Sequence, residues 1–426
     1  VMTAEGLSRR ALLASLAGLG ACGAHQSPAL RSSLLASPHE STIDALAGRY
    51  VRGAEPGMAV AVLKDGEAVQ LSSYGLADLR TGRSIDLETR FHLGSVGKQW
   101  TALAVLTLVQ DGTMALDAPL ADYLPALRLL HPRVTVRHAL THMSGLGSYY
   151  PGEDDAGDRI LREIVAARGG DRAEDSDVAE ALGRLAPRTA PSAQWAYSNP
   201  AYEALGAAIA SVSGTSFDAF MLNRLLPALG MQDAFLAGDA AREARSDVAR
   251  GHVLPDGSSR QPHRFLAVDP ATDPTRYFYD RLSGSGRVYA SMRDMLAYER
   301  AWTAGLPFLD PELIAEMRTP VVDPENGLPI DIGAGMDYGF GLEIADPTSP
   351  PARSNPHVAS ILERTGRIES HVGGWPGFSS MYARFVDRGV TVVMLMARDL
   401  LPDDLSATWG RPGWLLAFDT DRLEAA

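Results

Sequence analysis

The sequence predicts an α+β fold, an antiparallel sheet flanked by helices and assembled from both ends of the chain around an inserted, mainly helical domain. Three observations lead there: short β-branched runs near the start, helical periodicity through the middle, and a return to strand-like runs at the end. On this reading residues 41–131 and 285–426 form the α+β domain and residues 132–284 the helical one. A cleft between them is the default place for a site.

The elements follow in order. Gly57 to Val62 is small and β-branched, Lys64-Asp65-Gly66 supplies a turn, and Ala68 to Gly75 answers as a second strand, which makes an antiparallel hairpin. Thr101 to Gln110 carries Leu103, Leu106 and Leu108 at helical spacing and stops at Asp111-Gly112, with Ser95 and Lys98 at its entrance. Helices are expected over Arg159 to Ala167, Val178 to Leu185 (capped by Ser176 or Asp177), Pro200 to Ser213, Ser216 to Leu229 and Met292 to Ala304. The acidic stretch Glu153-Asp154-Asp155 with Asp158 reads as a solvated loop rather than a metal site. Strands are expected over Tyr338 to Ile344, Ile368 to Gly373, Ser380 to Phe385 and Val390 to Met396, the last apolar enough to be buried on both faces.

Composition narrows the function classes. Of 426 residues, 46% are apolar and 21% charged, the balance of a globular protein, and the net charge of −13 makes nucleic acid a poor partner. No apolar run reaches the ~18 residues of a membrane span. Ser8-Arg9-Arg10-Ala11-Leu12-Leu13 and the short apolar stretch to Ala21 have the anatomy of an export signal, here assigned to residues 1–24, and the twin arginine resembles the Tat type. Leu19-Gly20-Ala21-Cys22 resembles a lipobox, so Cys22 is the expected lipidation site and residues 25–40 a tether; cleavage after Ala24 is the alternative. The protein is therefore expected to be exported to the periplasm or cell envelope, touching membrane only through that anchor.

Three segments carry chemistry. The cations comprise 37 Arg but only Lys64 and Lys98, and Lys64 lies in the hairpin turn, so Lys98 stands out as an amine that can be tuned into a base. In Ser95-Val96-Gly97-Lys98 the two functional residues share one helical face, and a serine hydroxyl needs such a neighbour to become a nucleophile. Tyr197-Ser198-Asn199 offers a phenol that a lysine cation would help to ionise and an amide that can hold substrate or orient Lys98. In His371-Val372-Gly373-Gly374 the paired glycines let a ligand approach the backbone, and the amides of Ser95 and Gly374 are a candidate oxyanion hole.

In this order and at these wide spacings, Ser95-Val96-Gly97-Lys98, Tyr197-Ser198-Asn199 and His371-Val372-Gly373 resemble the three motifs of the β-lactamase-related serine hydrolases. That family groups class C β-lactamases with D-alanyl-D-alanine carboxypeptidases, D-aminopeptidases and some esterases. Tyr74-Gly75-Leu76-Ala77-Asp78, the stretch from Val136 to Leu146, Val212-Ser213-Gly214, Pro227 to Met231 and Tyr338-Gly339-Phe340-Gly341 extend the resemblance across residues 57–399. It implies a β-lactamase/transpeptidase-like fold and structural roles for His138 and His142, without metal or other cofactor. The third motif usually begins with lysine; His371, largely neutral near pH 7, resembles instead the His-x-Gly form of D-aminopeptidases. The usual Pro-Gly before the second motif is replaced by Ala190-Pro191-Ser192-Ala193-Gln194, so the cleft mouth gives no substrate preference.

The expected function is a serine hydrolase that forms an acyl-enzyme on Ser95 and cleaves an ester or amide of a small-molecule or peptide substrate. Tyr197, coupled to Lys98, takes the Ser95 proton; Asn199, His371 and Gly373 bind substrate, with His371 meeting the leaving group or steadying Tyr197; and Ser95 and Gly374 hold the oxyanion. A weak class C-type β-lactamase or D,D-carboxypeptidase is the nearest alternative, and a non-catalytic binder of cell-wall peptide a more distant one. Oligomeric state stays open.

Overall fold

In the computed structural model one seven-stranded antiparallel sheet draws its strands from both ends of the chain. The structure describes residues 43–44, 47–48, 51–238, 240–253, 265–268, 278–333 and 335–399. The expected signal, the tether and Cys22 lie outside the described residues. Strands β1 (Met58–Lys64) and β2 (Glu67–Tyr74) form the expected hairpin, with Lys64 opposite Glu67 and Asp65-Gly66 as the two-residue turn. The distal part supplies β3 (Asp337–Tyr338), β4 (Glu343–Ala345), β5 (Ile368–Trp375), β6 (Phe378–Phe385) and β7 (Val390–Met396). Their spatial order is β3-β4-β5-β6-β7-β1-β2, so β7 returns to lie beside β1 and closes the two ends of the chain into one sheet.

The central strands are buried on both faces because alternate residues point into two different cores. Ala59, Ala61, Leu63, Val393 and Leu395 pack with helix α1 (Lys98–Gln110). Met58, Val60, Val62, Val392 and Met394 pack on Val358, Ile361 and Leu362 of the helix Pro356–Thr365. Helix α1 is buried at every position from Lys98 to Leu108, the mark of a helix with neighbours all round. Each fully buried Leu or Val contributes about 1.5–3 kcal/mol, so the first core alone fixes α1 firmly against the sheet.

Helices α2 (Asp155–Ala167), α3 (Asp175–Arg184) and α4 (Asn199–Ser213) fill the middle of the chain, and α5 (Met292–Thr303) follows them. The middle segment also holds the short strand Phe235–Leu236, which pairs with Val288–Ser291; that strand pairs in turn with Arg90–His92, just ahead of the nucleophile motif. Residues of the helices and of the sheet belong to one continuous apolar cluster.

Four local expectations change. The helix expected over Ser216 to Leu229 is present as Phe217–Ala228 with Ser216 as its N-cap, but it widens into a π-turn over Met221–Leu225, ahead of Pro227, which has no N–H for the carbonyl of Asn223. The strand expected over Tyr338 to Ile344 is split into β3 and β4 by a turn through Gly339-Phe340-Gly341. Helix α3 starts earlier than expected: Glu174 is its N-cap, and Asp177 reaches back to accept from the Glu174 amide at 2.9 Å. In the acidic stretch, Asp154 caps α2 by accepting from the amides of Ala156 and Gly157 at 3.0 and 3.1 Å.

Candidate active site

The nucleophile motif starts in a 3-10 turn, Gly94–Gly97, that runs straight into α1, so Ser95 sits in the turn and Lys98 is the first α-helical residue. The turn is held against β5 backbone to backbone. Gly94 has φ +51°, and a Cβ there would come within 2.6–2.9 Å of the Gly374 backbone. A Cβ at Gly373 would stand 2.0 Å from the Leu93 carbonyl. His92, unremarked in the sequence, fixes the same junction: its Nδ1 accepts from the Gly94 amide at 3.1 Å, and Trp375 of β5 stacks on its ring at 4.9 Å. Gly94 and Gly373 permit this close approach, which brings the amide-bearing segments of Ser95 and Gly374 together, whereas a Cβ at Gly374 itself would meet nothing within 4 Å.

Lys98 is wholly buried, and its Nζ has three partners: Ser95 Oγ at 3.0 Å, Asn199 Oδ1 at 2.8 Å and the Ser285 carbonyl at 2.7 Å. It lies 4.8 Å from the Tyr197 ring centroid and 5.4 Å from that of Tyr202. Burial pulls its pKa down from the ordinary lysine value to about 7, against the opposing pull of the Glu203 carboxylate. Asn199 is thus a partner of Lys98, one of the two roles expected for it. Ser198 caps α4 by accepting from the Ala201 amide at 3.1 Å, and so the second motif is the first turn of a helix that points its start at Lys98.

Ser285 was missed by sequence reasoning. The sequence carries one signal for it, the flanking glycines of Gly284-Ser285-Gly286. The triplet threads between α4 and the nucleophile turn: a Cβ at Gly284 would meet the Tyr202 carbonyl at 1.8 Å, and one at Gly286, where φ is +142°, would meet the Gly94 carbonyl at 2.2 Å. Only a glycine on each side lets the Ser285 carbonyl reach Lys98.

The other titratable groups are held neutral. Burial pushes the Tyr197 phenol well above its ordinary pKa; Ser95 is near enough to ease its ionisation, while the charges of Glu343 and Glu153 oppose it. Its hydroxyl makes no hydrogen bond of good geometry. His371 is also buried, and both its ring nitrogens are engaged: Tyr338 donates to Nε2 at 3.0 Å, and Nδ1 donates to the Val372 carbonyl at 2.6 Å. Burial first, then the Lys98 charge, takes its pKa down to about 3. Both ring nitrogens thus already have partners within the protein, and the Tyr197 ring centroid is 6.4 Å away. His142 completes the chain: it accepts from the Ser198 amide at 3.1 Å through Nδ1 and donates through Nε2 to Tyr338 at 3.1 Å. His138 is engaged elsewhere, with the Thr135 amide at 3.1 Å and Ser192 Oγ at 2.8 Å. The two histidines therefore do not converge on one point.

A serine beside a buried, dehydrated lysine amine, backed by a tyrosine and by a backbone cradle, defines a serine hydrolase of the Ser-x-x-Lys type. The chain belongs to the beta-lactamase family, whose model matches residues 41–411. The esterase EstB of Burkholderia gladioli is 31% identical over 391 residues, covering 85% of this chain and 91% of that enzyme. Penicillin-binding protein 4* of Bacillus subtilis is 25% identical over 347 residues, covering 80% and 68%. In fold, the octameric penicillin-binding protein homologue from Pyrococcus abyssi superposes with a TM-score of 0.64 at 23% identity, over 88% of this chain and 77% of that one.

Proposed function

We propose that this hydrolase cleaves an uncharged ester or amide through an acyl-enzyme on Ser95, with Lys98 as the base. The observation that carries the base assignment is the set of three partners around Nζ. Asn199 Oδ1 and the Ser285 carbonyl can only accept, so they take two N–H bonds. The third direction, towards Ser95 Oγ, holds a proton in the ammonium and a lone pair in the free amine. Deprotonation of Lys98 therefore aims a lone pair at the Ser95 hydroxyl without moving any heavy atom. The sequence-based expectation gave the proton to a Tyr197 phenolate; burial of that phenol, with Glu343 and Glu153 acting on it, favours the amine instead.

In the scheme Lys98 takes the Ser95 proton as Oγ attacks the carbonyl carbon. The amides of Ser95 and Gly374 hold the developing oxyanion. Collapse breaks the bond to the alcohol or amine, which receives the proton from Lys98 through the Tyr197 hydroxyl; water then repeats the sequence on the acyl group and frees Ser95. The third motif brings a neutral His371 rather than a cation, which disfavours a substrate selected through a carboxylate. An ester is the first choice, in line with the similarity to esterase EstB.

A panel of short-chain p-nitrophenyl esters, D-alanyl amides and nitrocefin tests the substrate class. Ester turnover that exceeds the other two supports this reading, and nitrocefin as the best substrate overturns it. Location in the cell envelope through a lipid on Cys22 is proposed on the sequence alone; incorporation of labelled palmitate that survives Cys22→Ala would refute it.

A further inference from the structure

A carboxylic acid that the reaction scheme does not use lies just behind Lys98. Glu203, on the second turn of α4, is fully buried, and three hydroxyls donate to it: Tyr149 to Oε2, and Tyr150 and Ser285 (2.7 Å) to Oε1. Burial raises the Glu203 pKa, and the three hydroxyls, together with the Lys98 charge, act against that rise by favouring the carboxylate. Ser285 thereby works in two directions, its hydroxyl to Glu203 and its carbonyl to Lys98. The path from carboxylate to amine runs through a single residue.

We propose that Glu203 is the positioning residue of the Ser95–Lys98 pair: it locks Ser285, whose carbonyl aims the Lys98 amine, and it supplies the negative charge that balances the buried Lys98 cation. Two of the donors, Tyr149 and Tyr150, precede the second motif, and the third, Ser285, comes from the loop ahead of the strand Val288–Ser291. Tyr149 and Tyr150 are both buried tyrosines pushed to high pKa by burial and then by Glu203, so they stay neutral donors. The groups facing Lys98 from the other elements are His142 and His371, both held neutral, and the rings of Tyr197 and Tyr202. Near the Glu203 cluster, Asp175 is engaged by the Ser283 hydroxyl and amide at 2.5 and 3.0 Å and acts on Tyr149 rather than on Lys98. Glu203 is thus the carboxylate whose charge acts to keep Lys98 protonated.

The inference rests on Lys98 as the base, and the test separates the two. The rate of Ser95 labelling by a fluorophosphonate is followed against pH, which needs no knowledge of the natural substrate. Absence of pH-dependent labelling in the unaltered protein would defeat the base assignment itself. Given a rising limb there, Glu203→Gln is expected to move it to lower pH by about one unit, because removing a nearby anion makes the cation easier to discharge. The labelling rate at high pH is expected to fall several-fold as Ser285 loses its anchor. Tyr150→Phe and Ser285→Ala, which each remove one donor from Oε1, are expected to shift the limb the same way by less, and they keep the test decisive if Glu203→Gln does not fold. A slower rate with an unmoved limb in the folded variants would reduce Glu203 to a packing role and overturn the proposal.

Discussion

Lys98 Nζ stands 2.7 Å from the carbonyl of Ser285, a residue 187 positions away in the sequence, and this contact aims the amine. Together with Asn199 it consumes two of the three N–H directions and leaves the third for Ser95. With Lys98 as the proposed base, the reaction depends on the protonation state of one buried amine.

That dependence sets the pH profile. With Lys98 held at about 7, kcat/KM for an ester should rise with pH and level off above that value. Lys98→Arg keeps the charge but not the ability to deprotonate, and it should lower kcat by about a thousandfold or more, as Lys98→Ala does. A Lys98→Arg enzyme with near-normal turnover would return the base role to Tyr197.

Ser95→Ala should abolish turnover and covalent labelling while leaving the thermal midpoint within a few degrees of the parent, because the side chain holds no other element in place. Intact protein mass after fluorophosphonate treatment reads the label directly. Retained ester hydrolysis in this variant would exclude Ser95 as the nucleophile.

Tyr197→Phe keeps the ring beside Lys98 and removes only the hydroxyl, which makes no hydrogen bond of good geometry in the resting site. If that hydroxyl passes the proton to the leaving group, kcat should fall by about 10²–10⁴ with little change in stability. Activated esters, whose alcohols leave without a proton, should suffer less than amides, and equal losses for both would argue against the relay.

Gly94→Ala tests the backbone contact with β5. A positive φ costs a non-glycine residue about 1–2 kcal/mol, and the added methyl would also strike the Gly374 backbone at 2.6–2.9 Å. The variant should melt several degrees lower and lose most of its activity even where it remains folded. A normal melting point by calorimetry would show that the turn can lift off the strand freely.

His371 links the site to acid stability. Its pKa in the folded protein is about 3, below the ordinary histidine value, so the unfolded chain binds a proton that the folded one does not. The stability it confers is fully present above about pH 6.5 and is lost as pH falls from there towards 3. His371→Gln, which does not titrate, should flatten the fall in thermal midpoint between pH 6.5 and 4 relative to the parent.

The sequence by itself determined the fold class, the hairpin at Lys64 to Glu67, the buried strand β7 and the identity of Ser95 and Lys98. These are properties of local pattern and composition: alternation, a two-residue turn, a lysine in a chain that otherwise uses arginine, and a spacing of three on one helical face. What only the tertiary structure supplies is the burial of Lys98, the Tyr197 hydroxyl and His371 and the partners that surround each of them. Both come from segments distant in sequence. Desolvation takes Lys98 towards neutrality and keeps Tyr197 and His371 uncharged, and it raises the pKa of Glu203 as well, which the hydroxyls of Tyr149, Tyr150 and Ser285 oppose. No local pattern records desolvation, because it is produced by everything packed around a side chain at once.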